Sequence, residues 1–329
     1  MSFEILLFGG RNYDGAHARP VWHQFETAVL LRLSEHGDIV GRLEYAGGEI
    51  EREVGLSRCF KAASVIGEHA YTCTNTEVLK IDLPTLAITE HHTHPLFNDC
   101  HHVNRIGDHF FVASTGIDSV VELDERFELV KRYPVAADEI LERHGHETDY
   151  RRVKNTKPHA AHPNYVESWD GEIWVSNFGR CRVESLTSAR RYELSEFRIH
   201  DGVPAHGRIW FTSVDGKVIT LEPKTGAQTA FDLMAMSPPS DRLSGWCRGI
   251  APITEHDVLV GFTKLRETKA RENLKWLGNK LFKQNFALSR PTRIARYDLA
   301  RGRETWKLEL EKTGMDAVFS IHTVPRRGN

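Results

Sequence analysis

The chain has little of what would mark a secreted, membrane or nucleic-acid-binding protein. Its five cysteines, Cys59, Cys73, Cys100, Cys181 and Cys247, are odd in number and show no CxxC spacing, which argues against a disulfide framework or a thiolate zinc site. Charge of neither sign dominates: 43 Lys and Arg stand against 45 Asp and Glu, for a net charge of −2. No global field would then hold a polyanion or an anionic membrane, and nucleic acid is not an expected partner. The opening MSFEILLFGG has no basic stretch and only a brief apolar run, too little for a signal peptide or a spanning helix. It reads as the first strand of a cytoplasmic protein. HExxH, P-loop and GxGxxG patterns are all missing, so a glycine-rich phosphate cradle has no support.

What is present is a repeat. A Gly or Asp turn, an alternating apolar strand, a second turn and a second alternating strand recur in VIGEHAYTCTNTEVLKID (65–82), RIGDHFFVASTGIDSVVELD (105–124), SWDGEIWVSNFGRCRVESL (168–186) and AHGRIWFTSVDGKVITLEP (205–223). A fifth copy is divided between TEHDVLVGFT (254–263) and TRIARYDLARGRETWKLEL (292–310). Period-two alternation bounded by such turns is what half-buried antiparallel strands require. A unit of several strands repeated every few tens of residues predicts propeller blades, because each small sheet needs neighbours to cover its faces. The ends supply a sixth unit: DAVFSIHTVP (316–325) reads as a lone innermost strand, while FEILLFGG (3–10), TAVLLRLS (27–34) and DIVGRLEY (38–45) lack one. The expected fold is all-β, a six-bladed β-propeller over 1–329 closed by N- and C-terminal strands in one blade. The stretch 264–290 interrupts blade five with helix formers, Leu265, Leu274, Leu277, Leu281 and Phe282 at helical offsets and Pro291 behind them, and predicts a helical insertion. Its cations Lys264, Arg266, Lys269 and Arg271 are placed to add positive potential at the channel mouth.

Histidine is the one compositional excess, 18 residues, clustered in HHTHPLFNDCHHV (91–103) and PHAAHPNYV (158–166). The segment before each blade's first clear strand should start the innermost strand, which faces the axis. Those segments carry Lys61, Asp99 with His101 and His102, His162 with Asn164, His200 with Asp201, Arg248, and His322. In an extended segment only one of His101 and His102 points inward. Convergent imidazoles allow two chemistries. His102, His162, His200 and His322 could bind a divalent transition metal such as Fe, Zn or Mn. Alternatively, imidazole acts as nucleophile or general base without a metal while Lys61 and Arg248 hold a small anionic molecule. His101, Asn164, Asp201, Arg248 and Lys61 are the expected catalytic set, and the two aspartates, Asp99 and Asp201, could fix imidazole tautomers.

Three family resemblances accompany this pattern. DCHHVNRIGDHFFVAS (99–114) and HPNYVESWDGEIWVS (162–176) resemble blade openings of bacterial arylsulfotransferase-type propellers, while HDGVPAHGRIWFTSVDGKVITLEPKTG (200–226) resembles the blade phrase of virginiamycin B lyase-like propellers. With GWCRGI (245–250) and TKLRETKAREN (263–273), the chain is similar to an uncharacterised family of bacterial propellers. Sulfotransferase chemistry would imply His102 or His162 as sulfuryl acceptor, with Asn164 and Arg248 holding the anion, although the chain lacks those enzymes' export signal and is shorter. Lyase chemistry would imply a divalent ion holding substrate oxygens while a histidine moves a proton, but no carboxylate-rich ring for a hard ion is visible. The mixed Glu/Asn/Asp ring of gluconolactonase-like propellers is not visible either. The leading expectation is a metal-dependent propeller enzyme acting on a small anionic substrate. The alternatives are a metal-free His/Arg sulfuryl-transferase or lyase-type enzyme, or a non-catalytic propeller that binds a protein partner or a second copy of itself.

Overall fold

The computed structural model describes residues 2–14, 23–135, 139–194, 198–238, 245–264 and 290–326. They form six four-stranded antiparallel sheets. The closing blade pairs β1 (Phe3–Asn12), β2 (Phe25–Ser34) and β3 (Ile39–Tyr45) with β24 (Ala317–Pro325) as its innermost strand. The remaining blades follow in chain order: β4–β7 within 63–93, β8–β11 within 100–134, β12–β15 within 163–193, β16–β19 within 199–232 and β20–β23 within 246–309. The two termini share one sheet, as the orphaned end strands required. Helix among the described residues is confined to short pieces such as α1 (Glu49–Val54), α2 (Glu139–Arg143) and α3 (Leu233–Met236), none long and apolar enough to cross a membrane. The expected helical insertion at 264–290 lies, apart from Lys264 and Arg290, outside the described residues.

The core is a ring of interfaces between neighbouring sheets. Leu6, Phe8 and Leu30 of the closing blade pack on Phe60, Ala63 and Leu79 of the next. Tyr71 and Val78 meet Val103 and Phe110; Phe111 and Val120 meet Val166 and Val175; Trp174 and Val183 meet Ile199 and Phe211. Trp210 and Val218 then meet Ile250 and Val260, and Leu259 and Ile294 return to Ile5, Val29 and Val318. Each cluster mixes alternate residues of two sheets, so burial of one blade's face depends on its neighbour, and the circle leaves no large face uncovered. All five cysteines are free, four of them buried in this packing.

The innermost strands are β4 (Ala63–Ile66), β8 (Cys100–Ile106), β12 (Pro163–Trp169), β16 (Ile199–Ala205), β20 (Trp246–Pro252) and β24. Five of them break register with the second strand of their sheet near one end. The unpaired residue is His101 in β8, Asn164 in β12, Gly202 in β16, Phe319 in β24, and one of Arg248 and Gly249 in β20. In β4 no such shift occurs, and Lys61 lies just ahead of the strand. A bulge interrupts strict alternation and re-aims a side chain. Repeated around the ring, it builds the site.

Candidate active site

A cavity of ≈ 940 Å³ opens at the bulged ends of the innermost strands. Its lining includes Lys61, Asp99, His101, His162 and Arg248, together with Phe25, Phe178, Trp246 and Phe319. Around them stand Lys154, Lys157, Arg198 and Lys264, so six lining cations face a single carboxylate, Asp99. In a chain of net charge −2 this is a local concentration of one sign, and low-dielectric walls focus its field inward. Lys264, the first residue of the expected insertion, does reach this mouth, where its ammonium meets Glu311 at 3.2 Å.

Asp99, in a left-handed conformation with φ 45°, organises the near wall. Its Oδ1 lies 3.2 Å from Lys61 Nζ and 3.4 Å from His101 Nε2. Burial alone would raise the carboxyl pKa, but Lys61 and His101 hold it well below the usual range. Burial pulls Lys61 down, and Asp99 and Cys59 together outweigh it, leaving its pKa raised. His101 is pushed down to about 3 by burial despite the carboxylate beside it, so the ring is neutral near pH 7. Its other nitrogen, Nδ1, is buried and has no hydrogen-bond partner. The imidazole stands edge-on to His162, ring centroids 4.8 Å apart.

Arg248 and Lys61 share one aromatic neighbour: their charged ends lie 4.5 and 5.0 Å from the centre of the Phe319 ring. Burial lowers Arg248 to about 10, which leaves it charged at neutral pH. His162 presents Nδ1 to His159 Nδ1 at 3.0 Å, a separation at which one of the two carries the proton. Their loop is held by Asp118, a buried left-handed residue whose carboxylate accepts from the backbone N–H groups of Ala160, Ala161 and His162 at 2.7, 3.0 and 2.7 Å. Asp118, Phe319 and His159 were not among the residues expected from sequence. Asp118 sits in a turn, STGIDS, that reads as ordinary hairpin chemistry, and Phe319 reads as one more apolar residue of an alternating strand.

The other expected residues lie away from the cavity wall. His102 is fully buried, stacked on Tyr165 with ring centroids 3.7 Å apart. Val166 N–H donates to its Nδ1 at 3.0 Å. Ser64 directs its hydroxyl hydrogen to Val103 O, so His102 Nε2 donates to Ser64 Oγ at 3.1 Å, and both ring nitrogens are engaged. His322 is farther along β24 than the bulge, packed edge-on to Phe8 with Nε2 2.7 Å from Ser320 Oγ. His200 is buried behind Phe178 and contacts Trp246, Arg248 and Asn164. Asp201 accepts from Thr212 Oγ1 at 2.6 Å and Gly249 N at 3.1 Å; it ties β16 to the bulge that carries Arg248 rather than fixing an imidazole. Asn164 likewise bonds inward, to Ile199 O at 2.9 Å.

Of the four histidines expected as metal ligands, His162 and His200 both pack on Phe178, while His102 and His322 are bonded within the walls between blades. Among the described residues, no three His, Cys, Asp or Glu side chains form a group that could hold a metal ion. This donor set does not fit one ion. What the cavity does bring together is a carboxylate-oriented imidazole, an imidazole pair, two cations on an aromatic floor and apolar walls.

No protein-family model matches the chain, and no curated protein matches it. Among solved structures, a protein of unknown function from Bacteroides caccae aligns at TM-score 0.62 and 11% identity over 99% of this chain and 100% of that one. Virginiamycin B lyase from Staphylococcus aureus aligns at TM-score 0.47 and 10% identity over 73% of this chain and 74% of that one. A β-propeller domain from Myceliophteria thermophila aligns at 0.48 and 12% over 85% of this chain and 79% of that one. At such identities the likeness is one of fold, and chemistry has to be argued from the site.

Proposed function

We propose that the protein is an acid–base enzyme of the lyase type, acting without a metal on a small organic anion held in the axial cavity. The observation that carries this reading is His101: one ring nitrogen faces Asp99, and the other is buried, unpartnered and set in a wall crowded with cations. A neutral imidazole oriented by a carboxylate is the arrangement of a general base. Its low pKa is a consequence of burial, and an anion arriving beside it favours the imidazolium, which brings proton transfer nearer to neutral pH. Arg248 and Lys61, spread over Phe319, would take the anionic group, while Phe25, Phe178 and Trp246 face the rest of the molecule. The cavity has room for far more than an inorganic ion.

Incubating tag-free protein in D2O with a panel of small carboxylic acids tests the idea, with NMR reporting exchange of carbon-bound protons next to the carboxylate. The expected result is exchange of at least one member that is lost in His101→Gln and persists in protein shown by elemental analysis to carry no stoichiometric metal. Exchange that survives His101→Gln, or that vanishes on chelation and returns with metal, would overturn it.

A further inference from the structure

Deepening that reading, and resting on it, we infer that His200 is a positioning residue that holds Arg248 in a replaceable contact, so that the cavity selects a planar organic carboxylate able to take the guanidinium from the imidazole. The argument is a count of donors and lone pairs. Trp246 Nε1 points at His200 Nε2 from 3.0 Å. Arg248 points at Nδ1 with Nη2 at 3.1 Å and Nε at 3.3 Å. Indole N–H and guanidinium are donors only, whereas a neutral imidazole has a single nitrogen lone pair in its plane. Both contacts cannot be hydrogen bonds at once.

Protonation is no remedy, because imidazolium has no nitrogen lone pair, and burial with Arg248 beside it already drives the His200 pKa well below its ordinary value. Nor does Asn164 resolve the conflict in its present orientation. Its Nδ2 gives one hydrogen to Ile199 O at 2.9 Å and stands 3.0 Å from Nδ1, while its Oδ1 is buried without a partner. The amide cannot be turned without setting Oδ1 against Ile199 O, so Asn164 is a third donor beside Trp246 and Arg248 for a ring with one lone pair. When Arg248 lets go, Nδ1 keeps the Asn164 contact and the crowding of donors is reduced.

Arg248 lines the cavity, makes no ion pair shorter than 4 Å among the described residues, and makes a cation–π contact with Phe319 at 4.5 Å. A carboxylate in the cavity offers it two oxygens in fork geometry, which an imidazole cannot match. The aromatic lining next to it, Phe178, Trp246 and Phe319, favours a carboxylate borne on a flat apolar body.

Isothermal titration with benzoate tests this, with benzyl alcohol as the neutral partner of similar shape and inorganic sulfate as the bare anion. Benzoate should bind at one equivalent, benzyl alcohol and sulfate at least about tenfold more weakly, and Arg248→Gln should weaken benzoate by about ten- to a hundredfold, the size of a charge-assisted hydrogen bond. His200→Phe keeps a ring but removes the resting contact, so benzoate should bind several-fold tighter in a variant whose melting curve remains cooperative. In the wild type, 15N spectra should show the His200 Nδ1 signal shifting as benzoate saturates and Arg248 leaves it. Unchanged or weaker benzoate binding in folded His200→Phe, together with an unmoved Nδ1 signal, would sink the role of His200 while leaving an anion-binding acid–base site intact. Absence of any anion binding would bring down both.

Discussion

His101 and His102 are neighbours in sequence, carry the same ring, and are both driven to a pKa of about 3 by burial, yet they belong to different parts of the molecule. His101 is the bulged residue of β8 and faces the cavity with one nitrogen unpartnered. His102 resumes the regular ladder, and both of its nitrogens are bonded within the wall between blades. The difference lies in backbone register. One extra residue sends the first ring to solvent chemistry and leaves the second to stability.

The sharpest way to break this contrast is to truncate each ring in turn. His102→Ala removes a stacked, fully buried ring and strands Val166 N–H, so it should cost about 3–5 kcal/mol of unfolding free energy. His101→Ala, which removes a cavity-lining ring with one nitrogen unpartnered, should cost less, about 1–2 kcal/mol, while abolishing the proton exchange proposed above. Urea titrations of both variants decide it, and equal losses would mean that His101 is as structural as its neighbour.

A second substitution attacks the bulge itself. Gly261 faces the bulged residues of β20, and a methyl group there would lie 2.5 Å from Arg248 O and 2.9 Å from the Val318 side chain. Gly261→Ala should therefore cost about 1–3 kcal/mol through overpacking, and it should weaken benzoate binding more than any equally destabilising change in an outer strand. Loss of stability with unchanged anion affinity would show that Arg248 is aimed by something other than the bulge.

These bulges also explain how far the sequence could be read. The blades, their order and the shared terminal blade follow from alternation and turn residues, which are local signals, and all are realised in the sheets. Positions at the mouths of the innermost strands were legible as a ring, which is why Lys61, His101, His162 and Arg248 share the cavity lining. Direction was not legible, because a rule of two fails where a residue is inserted. His102 and His101 could not be told apart by alternation. An equivalent register would put His322 at the mouth, but β24 begins at Ala317 and its bulge brings Phe319 there instead. Asp118 works through three backbone N–H groups of a distant loop, a partnership with no sequence pattern of its own.

The two classes of histidine also predict a pH response. For His101, His102, His162, His200 and His322 burial holds the folded pKa below the ordinary imidazole value of about 6.5. The unfolded chain therefore binds more protons below pH 6.5, and stability present above that pH is lost as pH falls toward the folded values. Glu51 and Glu167, raised to about 7, and Asp201, raised to about 6, work the other way, since the folded state keeps their protons as pH rises through the carboxylate range. Histidines outnumber these carboxylates, so the melting temperature should fall from about pH 6.5 downward. Replacing His102 by Gln, which cannot take up a proton there, should flatten that slope; an unchanged slope would mean the ring is protonated in the folded protein.

The smallest effect belongs to the rim of the cavity, where charge acts through water. Lys154 and Lys157 line the mouth, are exposed, and have no carboxylate within ion-pair distance among the described residues. Unlike Arg248 they have no aromatic floor among the described residues, so their contribution is a field that steers an anion inward rather than a contact that holds it. At physiological salt the Debye length is about 8 Å, and at 0.01 M it is about 30 Å. The double variant Lys154→Ala, Lys157→Ala should therefore slow benzoate association several-fold at low salt, with the difference shrinking toward nothing near 1 M and the dissociation rate unchanged. Arg248→Gln should do the reverse, raising the dissociation rate at every salt concentration because its hydrogen bonds are made inside the cavity. Stopped-flow measurements across that salt range separate the two patterns. If the rim variant changed dissociation instead, the lysines would be part of the bound complex, and the division between a steering rim and a holding interior would fail.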